Sequence, residues 1–208
     1  MRRLIIYLSD AVAFLASRFS STSPYTLLAL GPQTNLAEAL AQNQRTVSGI
    51  GQMIMMGGAV FVEGNVTGYH DKKAEWNIFE DPDAASSVFT SGMPISMVPL
   101  DATQFVPIDQ SFLDAAKKFT SPLGHVVFQL LRLGYKSNDK SYFAWDPLAA
   151  VSVVAPSVVQ SQSVAIQIVT SPPEVGRTRA DPSSPNKVMV ATSASAEIFR
   201  NAFLDAFS

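Results

Sequence analysis

Three short apolar runs constrain the fold more than any other feature of this 208-residue chain. Residues 25–30 read YTLLAL, residues 52–56 read QMIMM and residues 95–100 read ISMVPL, and Gly-Pro, Gly-Gly or Asp follows each run. Apolar runs without polar alternation are typical of strands buried on both faces of a parallel sheet. Residues 164–168 and 187–191 are two further candidate strands.

Helix signals lie between these strands. Thr34 and Asn35 are candidate N-caps for a helix after the first strand, and Asp81 is an N-cap that Pro82 follows. Asp146 begins a later helix. An amphipathic stripe predicts one more helix at the start of the chain, through Leu4, Leu8, Val12, Leu15 and Phe19. Alternating strands and helices indicate an α/β fold, an open and mostly parallel sheet flanked by helices, in a single domain over residues 1–208.

The composition excludes several classes of site. The 15 Lys and Arg residues against 17 Asp and Glu residues give a formal charge of −2, without the basic footprint of a nucleic-acid binder. No cysteine and two histidines exclude disulfide scaffolds, thiol catalysis and multi-histidine metal sites. No apolar stretch reaches the roughly 20 residues that cross a bilayer. Because Asp10 interrupts the N-terminal apolar run, we interpret that run as a helix and expect a cytoplasmic protein without membrane partners.

Four polar residues remain as candidates for chemistry, and two tryptophans lie beside them. Carboxylate and carboxamide groups bind sugar hydroxyls, aromatic rings suit a planar base, and an oxygen-rich set suits a hard cation such as Ca²⁺. A plainer interpretation stays open, in which these are polar loop residues and a helix cap. The candidates are Asn65, Glu75, Asn77 and Asp146, with Trp76 and Trp145.

The two histidines are weaker candidates. His125 lies among apolar residues of a helical segment, which favours a structural role. His70 lies in a polar loop beside Asp71, where a solvated role is favoured and a place near a ligand stays open. No dinucleotide-binding, P-loop, nucleophile-elbow or zinc-protease motif is present.

Four longer segments of the sequence resemble a known protein family. Residues 27–39 read LLALGPQTNLAEA, residues 55–65 read MMGGAVFVEGN, and residues 145–150 read WDPLAA. Residues 74–103 read AEWNIFEDPDAASSVFTSGMPISMVPLDAT. In order and approximate spacing the chain resembles the inosine-uridine-preferring nucleoside hydrolases, from about residue 8 to the C-terminus.

This resemblance implies an activity and a set of site residues. The reaction is cleavage of the N-glycosidic bond of a nucleoside by a calcium-bound water, which releases base and ribose. Asp146 is implied as a ligand of one Ca²⁺, and Leu30 as the donor of a main-chain carbonyl. The implied contacts to the ribose come from Met56, which packs on the sugar, and from Asn65, Glu75 and Asn77, which hold its hydroxyls.

Trp145 departs from the commonest family pattern, in which a histidine precedes this aspartate and protonates the leaving base. A tryptophan resembles the purine-preferring branch, because an indole can stack on a departing purine and offers no acid to a pyrimidine. We therefore expect a preference for purine nucleosides.

The sequence contains no DxDxGxDD cluster, which in the family supplies most calcium ligands and the general base. No residue of this chain is assigned as that base, and we expect an N-terminally truncated domain with an incomplete site. The first strand is then expected to have an unpaired edge. Alternatives that stay open are an inactive remnant that binds ribose or nucleoside, an interaction module, a homo-oligomer, and completion by a separate N-terminal segment.

Overall fold

A computed structural model describes residues 11–19, 24–68, 72–137 and 142–207. The strands are β1 (Tyr25–Ala29), β2 (Ile50–Met56), β3 (Ile95–Val98), β4 (Val159–Ile168), β5 (Thr178–Ala180) and β6 (Lys187–Ala194). They form a sheet of order β1-β2-β3-β6-β4-β5. The first four in this order run parallel, while β4 is antiparallel to both β6 and β5. The predicted α/β class with an open, mostly parallel sheet is confirmed.

Helices flank this sheet. They are α1 (Ala11–Arg18), α2 (Thr34–Gln42), α3 (Trp76–Glu80), α4 (Pro82–Phe89), α5 (Leu100–Thr103), α6 (Gln110–Ala116), α7 (Pro122–Ser137), α8 (Trp145–Val154) and α9 (Ala196–Asp205). Short 3₁₀ turns occupy Gln44–Gly49 and Pro156–Val158. In the described ranges no helix is long and apolar enough to cross a bilayer.

The predicted helix caps are confirmed in one case and wrong in another. Asp81 caps α4, because its Oδ1 accepts the Ala84 N–H at 3.0 Å. The N-cap of α2 is Gln33 instead of Thr34 or Asn35, and Thr34 donates its hydroxyl proton to the Asp81 carboxylate. Of the N-terminal stripe, Leu4 and Leu8 lie outside the described residues.

β1 is more exposed than its apolar sequence predicts. It lies at the edge of the sheet and pairs in parallel with β2, from Thr26 opposite Gln52 to Ala29 opposite Met55. Most of its residues are only half-buried. Burial on both faces is therefore wrong for β1, and the expected open edge is confirmed within the described ranges.

β2 is the strand that the apolar pattern predicts best, because the sheet has a core on each face. Met53 and Met55 pack into one core with Met97 of β3. Ile54 and Met56 pack into the other, together with α6, α8 and α9. The side chains alternate between faces as the pleat requires, so this continuous apolar run is buried on both sides.

The sequence prediction is least accurate in the antiparallel part. β4 spans ten residues instead of the predicted residues 164–168, and β5 is not predicted. The first half of β4 contains polar residues 160–163, which are exposed and carry no apolar strand signal. β3 ends at Val98, because the chain then turns into α5.

Candidate active site

The turn that follows β2 organises the candidate site. Gly58 has a φ of +85°, and a Cβ at this position would lie 3.0 Å from Thr178 Oγ1. Its N–H donates to Glu75 Oε2 at 2.9 Å, and its carbonyl accepts the Leu100 N–H at 2.9 Å. Glycine is therefore required where the backbone passes between β3 and Glu75.

Glu75 is a buried carboxylate with 2% of its surface exposed. Its Oε2 also accepts the Ile78 N–H at 3.3 Å, so the side chain caps α3. Burial raises the pKa of Glu75, and the negative charge of Asp146 raises it further, while backbone N–H donors oppose the rise. The charge of Asp146 therefore adds to the effect of burial on the Glu75 carboxyl.

Asn77 and Asn65 are held by the backbone around Glu75. Asn77 Nδ2 donates to the carbonyl oxygen of Met56 at 3.2 Å and lies 3.4 Å from its Sδ. Asn65 Oδ1 accepts the Trp76 N–H at 2.9 Å. These contacts bring the long loop after β2 back to the carboxyl end of that strand.

Asp146 and Leu30 line one hollow of about 400 Å³ between the end of β1, α8 and α9. Burial raises the pKa of the half-buried Asp146 carboxyl. Burial also raises the pKa of the nearby Tyr142, and the Asp146 charge adds to that effect. Within the described ranges no cationic side chain lies within 4 Å of Asp146. The rest of the lining is apolar: Pro147, Ala150, Val151, Val154, Ala202, Phe203, Ala206 and Phe207.

Trp145 is the first residue of α8 and is half-buried. Its ring meets Tyr142 edge-on with 5.4 Å between centroids, and Phe143 lies 6.2 Å away. The indole is therefore held by other aromatic rings directly before Asp146. An aromatic wall of this kind can contact a planar ligand.

The site residues named from the sequence fall into two groups. Met56, Glu75 and Asn77 are in the first, with Asn65 joined to it through Trp76. Leu30 and Asp146 form the second, beside Trp145, and the Glu75–Asp146 repulsion links the two. The arrangement offers carboxylate and carboxamide groups to a polar ligand with an aromatic surface nearby.

Asp101 is a positioning residue that the sequence analysis missed. Its carboxylate is buried and accepts the Val60 N–H at 2.9 Å and the Phe61 N–H at 2.7 Å. It thereby fixes the backbone just beyond Gly58. Its place directly after the third apolar run was the available signal, because polar groups at strand carboxyl ends cluster along one edge of the sheet.

Neither a metal cluster nor a catalytic histidine stands out in the described part of the chain. No three Asp, Glu, His or Cys side chains among those residues are grouped as metal ligands. His125 is exposed on α7, and His70 lies outside the described residues. Asp146 and Glu75 are the two carboxylates among the site residues named from the sequence.

An open, mostly parallel sheet flanked by helices, with the buried Glu75 and the half-buried Asn77 and Asp146 near its strand ends, defines an α/β protein with a candidate ligand site. The family model for inosine-uridine preferring nucleoside hydrolase matches residues 7–201. The chain belongs to this family.

Individual relatives agree with this assignment. The pyrimidine-specific ribonucleoside hydrolase RihA of Klebsiella pneumoniae (strain 342) is 36% identical over 130 residues, which are 62% of this chain and 40% of RihA. The inosine-uridine preferring nucleoside hydrolase from Bacillus anthracis matches with a TM-score of 0.84 and 26% identity, over 97% of this chain and 66% of that one. For the purine-preferring ribonucleoside hydrolase from Gardnerella vaginalis the TM-score is 0.83 and the identity 27%, over 98% and 66%.

The chain is shorter than these proteins. It spans 40% of the length of RihA and 66% of each of the two solved chains. The names of the relatives also differ in base preference, since one is pyrimidine-specific and another purine-preferring.

Proposed function

We propose that this chain forms the ribose-binding part of a nucleoside hydrolase, which cleaves the N-glycosidic bond of a ribonucleoside with water to give base and ribose. One observation carries the proposal. The buried Glu75 carboxylate, held by the Gly58 turn, lies within electrostatic range of Asp146, with Asn77 bonded to Met56 beside it. Family membership supports the same chemistry.

The roles of the polar residues follow from their hydrogen-bonding capacity. A carboxylate such as Glu75 accepts protons from sugar hydroxyls, and the carboxamides of Asn65 and Asn77 both donate and accept. The ring of the sugar gains positive charge as the N-glycosidic bond breaks. Contacts to its hydroxyls that strengthen at that point contribute to the rate as well as to binding.

Calcium is the cofactor that we propose for this site, with the Asp146 carboxylate and the Leu30 carbonyl as two of its ligands. Both are hard oxygen donors, and a half-buried carboxylate with a raised pKa gains from a nearby cation. Ca²⁺ takes six to eight oxygens as a rule. The described residues do not by themselves fit that number, so we derive no step of the reaction through the ion.

A second candidate function is binding of ribose or nucleoside without turnover. It is favoured by the absence, within the described ranges, of a cluster of three or more potential metal ligands. The two candidates differ in a direct measurement. Calorimetry with ribose detects binding in both cases, whereas release of free ribose from inosine occurs only for the hydrolase.

Asp146→Asn tests the hydrolase, because it removes the charge and keeps the size of the side chain. We expect kcat/KM for inosine in calcium-containing buffer to fall by at least about 100-fold, measured by ribose release. Asp83→Asn, on an exposed position in the first turn of α4, is the matched control and should keep the wild-type rate. An unchanged rate in Asp146→Asn would remove Asp146 from the proposed site.

Base preference depends on Trp145 in this proposal. We propose that its indole stacks on the leaving base, and we expect higher kcat/KM for inosine than for uridine because an indole provides no acid for a pyrimidine. Trp145→His should raise uridine turnover relative to inosine turnover. Equal rates on both nucleosides in the wild-type chain would contradict the preference.

A further inference from the structure

The loop between β4 and β5 (residues 169–177, here called the β4–β5 loop) packs against the segment that carries Glu75. Arg177 of this loop pairs with Ala74, the residue before Glu75, in an isolated antiparallel bridge. Ala74 is buried, with 1% of its surface exposed, and its carbonyl accepts the Val66 N–H at 3.2 Å. The β4–β5 loop therefore lies beside the backbone that leads into the candidate site.

The same loop and β5 contact the two backbone elements that bond to the Glu75 carboxylate. Gly176 is buried with a φ of +81°, and a Cβ there would lie 2.8 Å from the Cα of Phe79 in α3. Thr178, the first residue of β5, lies against the other element, because a Cβ on Gly58 would be 3.0 Å from its Oγ1. Both α3 and the Gly58 turn are thus supported from this side of the molecule.

Glu174 connects the β4–β5 loop to the Glu75 segment through charge. Its Oε1 accepts a hydrogen bond from Lys73 Nζ at 2.6 Å and another from Arg177 Nη1 at 2.6 Å. Lys73 comes two residues before Glu75, so one carboxylate oxygen joins the two paired segments. These bonds hold the pKa of Glu174 below its ordinary value, and the bond from Lys73 is the largest cause. The carboxylate is therefore charged at neutral pH.

We propose that Glu174 is a positioning residue of the candidate site, which keeps the Glu75 carboxylate and the neighbouring Asn77 in place through Lys73 and Arg177. The consequence for a substrate rests on the proposed function, in which Glu75 and Asn77 bind the ribose hydroxyls. The three charged side chains of this network are 22% to 43% exposed, and ion pairs of that kind contribute little to global stability. Glu174 therefore acts on the local geometry of the site and hardly on the stability of the fold.

Glu174→Gln tests the proposal, because it removes the charge and keeps the size of the side chain and an acceptor oxygen. The measurement is hydrogen exchange at the backbone amides of Gly58 and Ile78, which both donate to Glu75 Oε2. We expect both amides to exchange at least about fivefold faster than in the wild type, because the segment opens locally. The unfolding temperature should fall by at most about 4 °C, the shift for loss of an exposed ion pair.

Salt separates a charged connection from simple packing. Raising the ionic strength from about 0.05 to 0.5 M should speed exchange at the same two amides in the wild type, because exposed charges are screened. The same change should have no effect in Glu174→Gln. Lys73→Met/Glu174→Gln should exchange no faster than Glu174→Gln, because Lys73 acts through the carboxylate that is already neutralised.

Asp181→Asn is the matched control. Asp181 lies just after β5, its Oδ2 is 3.9 Å from Arg179 Nη2, and its side chain is 25% exposed, close to the 22% of Glu174. Its Oδ1 accepts from the N–H and the hydroxyl of Ser183 in its own turn. Asp181→Asn thus removes an equally exposed carboxylate from the same region and should leave exchange at the two site amides unchanged.

Ribose release from inosine measures the consequence for the site. We expect kcat/KM of Glu174→Gln to fall by at least about tenfold, because small displacements of groups that contact the substrate are costly. An unchanged kcat/KM in an active chain would overturn the proposal.

The exchange measurement decides the positioning role independently of turnover. Unchanged exchange at Gly58 and Ile78 in Glu174→Gln would overturn that role, and so would equal acceleration in Asp181→Asn. Lack of ribose release by the wild-type chain would instead contradict the proposed function, and the exchange rates would still show whether Glu174 positions Glu75.

Discussion

Two single residues, Glu75 and Asp146, determine how the candidate site affects the stability of the chain at different pH values. Burial raises the pKa of each carboxyl above its ordinary value, which is 4.5 for Glu75 and 3.8 for Asp146. A raised pKa means that the folded state binds the proton more tightly than the unfolded state does. The stability contributed by each group is fully present below its ordinary pKa and is lost as the pH rises through the raised pKa. Once ionised, each of these carboxylates therefore opposes folding relative to its protonated form.

Glu75→Gln tests the direction in which stability changes with pH. The amide oxygen can still accept the Gly58 and Ile78 N–H groups, while the buried charge is removed. In metal-free buffer we expect the unfolding temperature of Glu75→Gln to rise relative to the wild type as the pH increases from about 4 to 8. The difference in free energy of unfolding should grow by at most about 1.4 kcal/mol per pH unit.

Thermal unfolding at a series of pH values measures this difference. Glu38→Gln, at an exposed position of α2, is the matched control and should follow the wild type throughout. A pH-independent difference between Glu75→Gln and the wild type would contradict the assigned role of the buried charge.

At the scale of elements, hydrogen bonds join the carboxyl ends of β2 and β3. They connect the turn after β2 to residues of α5, which begins directly after β3. Gly58 accepts from Leu100 at the start of α5, and Asp101 accepts from Val60 and Phe61. The backbone that carries Met56 toward the site is thus tied to the neighbouring strand. Loss of this connection should loosen the turn before it affects either core.

Asp101→Asn tests that connection. An asparagine presents an N–H donor where one of the two backbone N–H groups requires an acceptor, and a buried unsatisfied donor costs about 1–3 kcal/mol. We expect the free energy of unfolding to fall by that amount in urea titrations. Asp109→Asn, at the exposed N-cap of α6, is the control and should change stability by a few tenths of a kcal/mol, because Asn caps helices as well as Asp does. Equal effects in the two variants would contradict a special role for Asp101.

At the scale of the whole molecule, the sheet places the candidate site beside its open edge. Leu30 follows the edge strand β1, and it shares an apolar hollow with Asp146 and residues of α9. β1 is only half-buried because, in the described part of the chain, β2 is the one strand that pairs with it.

The sequence predicted the features that short-range patterns encode. Apolar runs located the parallel strands, since a strand covered on both faces needs no polar alternation, and Asp81 was located as a cap because its side chain bonds a backbone group three residues away. The antiparallel strands were shortened or missed, because the polar residues 160–163 and the short β5 form strands only through their partners. The segments that carry the family resemblance also contain seven residues that line or adjoin the candidate site: Leu30, Met56, Asn65, Glu75, Asn77, Trp145 and Asp146.

By itself the sequence determined the family, the α/β class and the candidate residues, because these depend on residue type and order along the chain. Tertiary structure alone decided that Glu75 reaches the Gly58 turn across 17 residues, that Asp101 holds the neighbouring backbone, and that β1 is an edge strand. These outcomes depend on contacts between segments distant in sequence, and they are selected by packing and hydrogen bonding in the folded chain.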